Sequence, residues 1–209
     1  MTDHFDQKAA TWDEDPTRAA RAVDVARQIR ERVPLTDDMD VLDFGSGTGL
    51  LVFQLLPHVA SVTFADPSEG MLLQVEAKLR AGGHEGGHTL RLGAGDPGFP
   101  RHYDAIVSLM TLHHVADPTA VLTSLAEHLR PGGWLAVCDL DAEDGTFHED
   151  DPHADVHHGF ERHQLTVHLE GLGLEEVRTS TAFVMRRERA DGVRSYPLFL
   201  LTGRRPGAV

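Results

Sequence analysis

Two kinds of apolar pattern alternate along this chain. Short, nearly continuous runs, Val41 to Phe44, Val62 to Ala65 and Ala105 to Leu109, have the length and character of strands buried on both faces. Between them, apolar residues recur every three or four positions. Met71, Leu72, Val75 and Leu79 form one such set, and Val121, Leu122, Leu125 and Leu129 another, the spacing that lines one face of a helix. The pattern predicts strands at Asp40–Phe44, Ser61–Ala65, Thr89–Leu92, Tyr103–Leu109 and Trp134–Leu140. It predicts helices up to about Val33, over Leu50–Leu56, behind the cap Ser68 as far as Gly82-Gly83, behind Asp117-Pro118, and over Arg162–Leu172. Pro16 suits the start of the helix Thr17–Arg32, and Pro34 its end. Two last strands, about Val177–Arg187 and Arg194–Gly203, flank a turn at Ala190-Asp191-Gly192. Strands alternating with helices imply an α/β fold with a parallel sheet covered on both faces, and the closing hairpin adds an antiparallel strand.

Candidate chemistry lies where the first strand ends. Asp43-Phe44-Gly45-Ser46-Gly47-Thr48-Gly49 places three glycines on alternate positions, and the second strand delivers Asp66. Glycines allow a ligand to lie against bare backbone. A carboxylate at the end of the next strand can accept hydrogen bonds from ribose hydroxyls. A dinucleotide fingerprint needs its third glycine one position later, where this chain has Leu50.

The Gly-x-Gly-x-Gly spacing with Asp43 ahead of it resembles the first motif of the class I S-adenosylmethionine (SAM)-dependent methyltransferases. Three further segments resemble that family in order: Ala65-Asp66-Pro67-Ser68-Glu69-Gly70-Met71-Leu72, then Tyr103–Ser108 through Leu112-His113-His114-Val115, then Leu129-Arg130-Pro131-Gly132-Gly133-Trp134-Leu135. The resemblance covers about Phe5 to Arg204 and extends to the ubiquinone/menaquinone C-methyltransferase group. It implies a Rossmann-like seven-stranded sheet of order 3-2-1-4-5-7-6. It also implies SAM as cofactor, S-adenosylhomocysteine as product, and a small-molecule acceptor. Carried over residue by residue, Gly45, Ser46 and Gly47 would approach the methionine part through backbone amides, aided by a helix N-terminus behind them. Asp43 would take the ammonium, and Asp66 with Pro67 the ribose. Met71 would lie along the adenosine, although a place in the core suits it equally. Gly93 and Ala94 would meet adenine, and Leu109 would emerge beside them. Many members carry an acid near the position of Gly93; here the nearest is Asp96.

With 209 residues, 41% of them hydrophobic, the chain fits one domain, 1–209, in which 1–33 form a helical lid and 141–161 cover the substrate side. No apolar run approaches the roughly 20 residues of a membrane span. The start has neither the basic nor the apolar part of a signal peptide, and the single Cys138 excludes an intrachain disulfide. A cytoplasmic location is the default expectation. A net charge of −14 repels phosphate backbones and anionic membranes, which argues against nucleic acid and membrane partners.

Methyl transfer from a sulfonium needs mainly placement, so a catalytic constellation is not required. His113 reads as structural. His114 and His158 are the candidates on the acceptor side. The stretch from Asp141 to Glu161 holds eight acids and four histidines (His148, His153, His157 and His158) with no lysine or arginine. It reads as a solvated lid, as an acceptor cover with His157 or His158 in contact, or as a divalent-metal segment, although no ligand spacing assigns a metal. Phe5 and Trp12 resemble aromatics that close over the cofactor. Two other functions stay open: a SAM-binding sensor or partner subunit without catalysis, and a Rossmann-type nicotinamide oxidoreductase, against which Leu50 and the closing hairpin count.

Overall fold

The computed structural model describes residues 2–92, 98–150, 156–190 and 192–208. Seven strands form one sheet: β1 (Asp40–Phe44), β2 (Ser61–Asp66), β3 (Gly87–Arg91), β4 (Tyr103–Leu109), β5 (Leu129–Leu140), β6 (Glu175–Arg189) and β7 (Gly192–Arg204). Their order is β3-β2-β1-β4-β5-β7-β6. The first five run parallel; β7 is antiparallel to both β5 and β6. The expected strand order is therefore found. Among the described residues no helix is long and apolar enough to cross a membrane.

The helices are α1 (Thr2–Lys8), α2 (Pro16–Arg32), α3 (Glu69–Gly82), α4 (Pro118–Glu127) and α5 (Arg162–Gly171), with a 3-10 turn at Ala9–Glu14. Successive side chains of a strand point to opposite faces, and the two cores show it. Val41 packs with Val25 and Ile29 of α2 and Val75 of α3. Its neighbour Leu42 packs on the other face with Leu122 and Leu125 of α4 and Leu165 and Leu169 of α5. The expected caps are in place, since Ser68 accepts from the Met71 amide at 3.1 Å and Asp117 from that of Ala120 at 3.0 Å.

Three expectations are corrected. The segment Leu50–Leu56 is no α-helix: it forms 3-10 turns at Val52–Gln54 and Leu56–His58. Pro57 has no amide to continue an α-helical ladder, and the turns still bury Leu51, Val52, Leu55 and Leu56 while leaving Gln54 exposed. The third strand starts at Gly87, ahead of Thr89, because Gly87 and His88 already pair with Val62 and Thr63 of β2, and α3 packs closely over them. A Cβ on Gly87 would sit 2.3 Å from Leu79 Cδ2. The fifth strand starts at Leu129, with a register shift between Tyr103 and Ala105 that absorbs Arg130-Pro131-Gly132-Gly133. The expected final turn includes Asp191, outside the described residues.

Candidate functional site

Strands β1, β2 and β4 end beneath α1 and the turn Ala9–Glu14, and a cavity of about 490 Å³ opens there. That is the size of a small-ligand site, placed where the strand order reverses. Its wall includes Phe5, Trp12, Asp43, Gly45, Ser46, Gly47, Leu50, Asp66, Pro67, Met71, Leu109 and His114. The cover is tied down from both ends. Asp6 accepts from Ser68 Oγ at 2.5 Å and the Gly70 amide at 2.8 Å, and Asp13 accepts from Thr48 Oγ1 at 2.5 Å. Phe5 bridges Trp12 and His114, with ring centroids 5.8 and 5.3 Å away.

The three loop glycines all have positive φ, at 70°, 52° and 84° for Gly45, Gly47 and Gly49. Two of them are demanded by packing. A Cβ on Gly45 would lie 2.1 Å from Thr111 Cγ2, and one on Gly49 would lie 2.7 Å from Phe64 Cε1. Gly47 differs: the nearest atom to its would-be Cβ is Trp12 Nε1 at 4.0 Å, across open cavity. The loop's amides are already committed. Those of Gly45 and Ser46 donate to Ala65 O at 2.8 and 3.0 Å, and that of Gly47 to Asp66 Oδ2 at 2.8 Å. The amides expected to approach the methionine part are thus bonded within the protein, and 3-10 turns stand where a helix N-terminus was expected behind them. At Gly47 the loop offers the cavity a bare Cα, with no side chain to hold a ligand away.

Asp43 is 1% exposed and its Oδ2 has no hydrogen-bond partner. Burial, reinforced by the charge of Asp66, pushes its pKa well above the ordinary carboxylate range. Burial raises that of Asp66 too, opposed by the amides of Ser68 and Gly47. Both Asp66 oxygens hold one amide each, at 2.8 Å, and keep acceptor capacity for ligand hydroxyls.

Sequence reading missed a cation in this cavity. Arg21 and Arg18 of α2 both line it. Arg21 is 8% exposed, its Nη1 meets the Met185 sulfur at 3.2 Å, and its Nε has no partner. Burial lowers its pKa. The signal was available, because Arg21 sits on the same helical face as the buried Ala22, Val25 and Ile29.

A protein-family model for a methyltransferase domain matches residues 42–135, which contain the glycine loop, Asp66 and the β4 loop. A ubiquinone biosynthesis O-methyltransferase of Marinobacter nauticus is 32% identical over 68% of this chain and 63% of its own length. An uncharacterized methyltransferase of Schizosaccharomyces pombe is 30% identical over 65% of this chain and 55% of its own length. The solved SAH complex of DhpI superposes with a TM-score of 0.73 over 100% of this chain and 96% of that one, at 21% identity. The chain is thus similar in sequence to SAM-dependent methyltransferases and has their class I fold. It spans about half the length of the curated relatives it matches first. A tRNA U34 carboxymethyltransferase of Shewanella sp. is also similar, 32% identical over 53% of this chain and 34% of its own length.

The cofactor of these methyltransferases fits the residues of this chain on structural grounds. The unpartnered Asp43 oxygen suits the cationic end, Gly47 leaves the space a Cβ would fill, and Asp66 retains lone pairs for a ribose. Met71 is fully buried and also lines the cavity, so its two readings coincide. Gly93 and Ala94 lie outside the described residues, as does Asp96.

Beyond β4 the two adjacent histidines have different surroundings. His113 is 1% exposed, and its Nδ1 donates to Asp139 Oδ1 at 2.6 Å. Burial alone would raise the pKa of Asp139, yet His113 and the Leu140 and Leu112 amides more than offset it and hold it below the ordinary range. Asp139 was missed in the sequence, although a charge inside the run Val137-Cys138-Asp139-Leu140 was a visible signal. His114 lines the cavity with Nδ1 buried and unpartnered; burial, then the neighbouring His113 and His148, push its pKa down to about 3. So weak a base suits a hydrogen bond or a metal better than proton abstraction. His158 is not brought to the cavity. It is exposed against Gly145, with its carbonyl accepting from the Glu143 amide at 2.9 Å. His157 packs back on the β4 loop, its amide donating to His113 O at 2.8 Å. Four acids of the following segment are paired: Asp141 with Arg162, Asp144 with Arg194, and Glu149 and Asp150 with Arg189. Asp151, His153 and Asp155 lie outside the described residues.

Proposed function

We propose that this chain transfers a methyl group from SAM to a small-molecule acceptor. The observation that carries the reading is one cavity in which an open glycine backbone, a buried unpartnered carboxylate and a strand-end carboxylate converge at Gly47, Asp43 and Asp66. When bound, SAM supplies an activated methyl on a cationic sulfur. Asp66 would accept from the ribose hydroxyls, and Asp43 would take the ammonium, directly or through water. Arg21, with Arg18 beside it, would neutralise the amino-acid carboxylate, the role that the committed loop amides leave vacant. Phe5 and Trp12 would exclude water and place aromatic faces near the sulfonium.

The acceptor would enter past His114 and the first turn of α4, where Val115, Ala116 and Val121 make the wall apolar. That lining, the cavity volume and the net charge of −14 favour a small, partly apolar acceptor over a polyanion. The domain reading, with residues 1–33 as lid and 141–161 as cover on the acceptor side, belongs to the same proposal. The test is incubation with methyl-labelled SAM and a metabolite extract, then mass spectrometry. A labelled low-molecular-weight product supports the reading. Label confined to RNA or protein overturns the acceptor class, and tight SAM binding without transfer to any fraction overturns catalysis in favour of a sensor or partner subunit.

A further inference from the structure

Outside the cofactor half of the cavity, three histidines converge from two segments distant in sequence. His113 and His114 come from the turn after β4, and His148 comes from the 3-10 turn Thr146–His148 beyond β5. Each offers one ring nitrogen, and the three nitrogens lie within 4.8 Å of one another. The ring centroids of His113 lie 4.1 Å from His114 and 5.2 Å from His148, and those of His114 and His148 are 5.5 Å apart. We infer that His113, His114 and His148 form a binding site for a divalent transition metal of the zinc class, in the wall between the cavity and the segment after β5.

Three observations carry this assignment. First, the donor chemistry fits, because imidazole ligands select zinc and its first-row neighbours over magnesium or calcium. Second, the Asp139 carboxylate already provides what metal-bound histidines require behind them. It is 0% exposed, accepts from His113 Nδ1 at 2.6 Å, and is itself held by the Leu112 and Leu140 amides at 2.8 and 2.7 Å. That bond fixes the proton on Nδ1 and turns the lone pair of Nε2 outward, the arrangement of a carboxylate–histidine–metal triad. Third, Nδ1 of His114 is buried without a partner, a cost that a bonded cation removes.

The Asp139 pair by itself accounts for His113 alone; it gives no reason for His114 and His148 to meet there. Nitrogens around a tetrahedral zinc stand about 3.4 Å apart, given bonds of about 2.1 Å, so the rings need draw in by no more than about 1.4 Å. Three protein ligands also leave one coordination position, and His114 places it beside the cavity.

The site is independent of the proposed methyl transfer, and so is its test. The full chain, stripped with chelator, is titrated with Co²⁺ while its visible d–d bands are followed. The metal content of untreated protein is measured alongside. One equivalent with intense tetrahedral-type bands, displaced by Zn²⁺, is expected. His148→Ala and His114→Ala should each weaken Co²⁺ binding by more than about 100-fold, exceeding the loss typical of removing a supporting group. His102→Ala, an exposed histidine elsewhere, should change nothing. Where either ligand variant fails to fold, wild type loaded with Co²⁺ decides by NMR, through paramagnetically shifted signals from three imidazoles. No stoichiometric binding by wild type, equal binding by the His148→Ala and wild-type proteins, or shifted signals from fewer than three rings would overturn the assignment.

Discussion

Replacing Gly47 with alanine separates what the backbone demands from what the cavity demands. With φ at 52°, Gly47 is left-handed, and an L-residue there costs about 1–2 kcal/mol. Nothing else resists the methyl, since its nearest neighbour is Trp12 Nε1 at 4.0 Å. For a chain of this size the melting point should fall by about 2–8 °C, at roughly 2–4 °C per kcal/mol. Gly45→Ala bears the same backbone cost and also drives a Cβ to 2.1 Å from Thr111 Cγ2, adding overpacking of about 1–3 kcal/mol. The ligand responses should separate further. S-adenosylhomocysteine at 100 times its wild-type dissociation constant stabilises wild type by about 2.7 kcal/mol, or roughly 5–11 °C. Gly47→Ala fills the space against which the ligand would lie, so its melting point should barely respond. The assay is a pair of thermal melts per variant, with calorimetric titration of the same samples. A Gly47→Ala protein that is stabilised as far as wild type would refute the placement of the ligand on this loop.

Asp66→Ala should weaken SAM binding by at least about 1 kcal/mol through lost charge-assisted hydrogen bonds, and an unchanged calorimetric affinity would remove Asp66 from the ribose role. Asp43 is raised by burial, so the folded protein holds its proton at a pH where the unfolded chain has released it; its contribution to stability therefore falls as pH rises above about 4 toward that raised pKa. Asp43→Asn should accordingly melt higher than wild type across that window, by a margin that grows with pH, while binding SAM more weakly. A variant that melts lower at every pH would contradict this. Arg21→Met exchanges a buried guanidinium with an unpartnered Nε for an apolar side chain, and it should stabilise the free protein by up to about 1–4 kcal/mol while costing SAM affinity. Calorimetry and melting together check it, and unimpaired binding would exclude Arg21 from the cofactor's carboxylate.

Strands β1 and β4 were legible to the residue because each is built on a short, nearly continuous apolar run behind an aspartate, Asp40 or Asp104, and is buried on both faces. The caps Ser68 and Asp117 were legible because their chemistry is local. Leu50–Leu56 misled because its apolar residues suit a helix by composition and spacing, while Pro57 cuts the ladder and leaves 3-10 turns. The glycine loop was recognised, but the fate of its amides depends on Ala65 O reaching across from β2, a tertiary fact with no local signature. Asp139 and Arg21 were each visible as a charge on a buried face. His148 was not: its meeting with His113 and His114 depends on how the segment after β5 folds back, which periodicity does not encode.

The most direct test of the account is a crystal structure of the protein with S-adenosylhomocysteine. The ribose should rest on Asp66, the amino group should face Asp43, and the chain of the ligand should pass over the Cα of Gly47 beneath Trp12. Ligand found elsewhere, or a cavity closed by the protein's own side chains under saturating ligand, would contradict it.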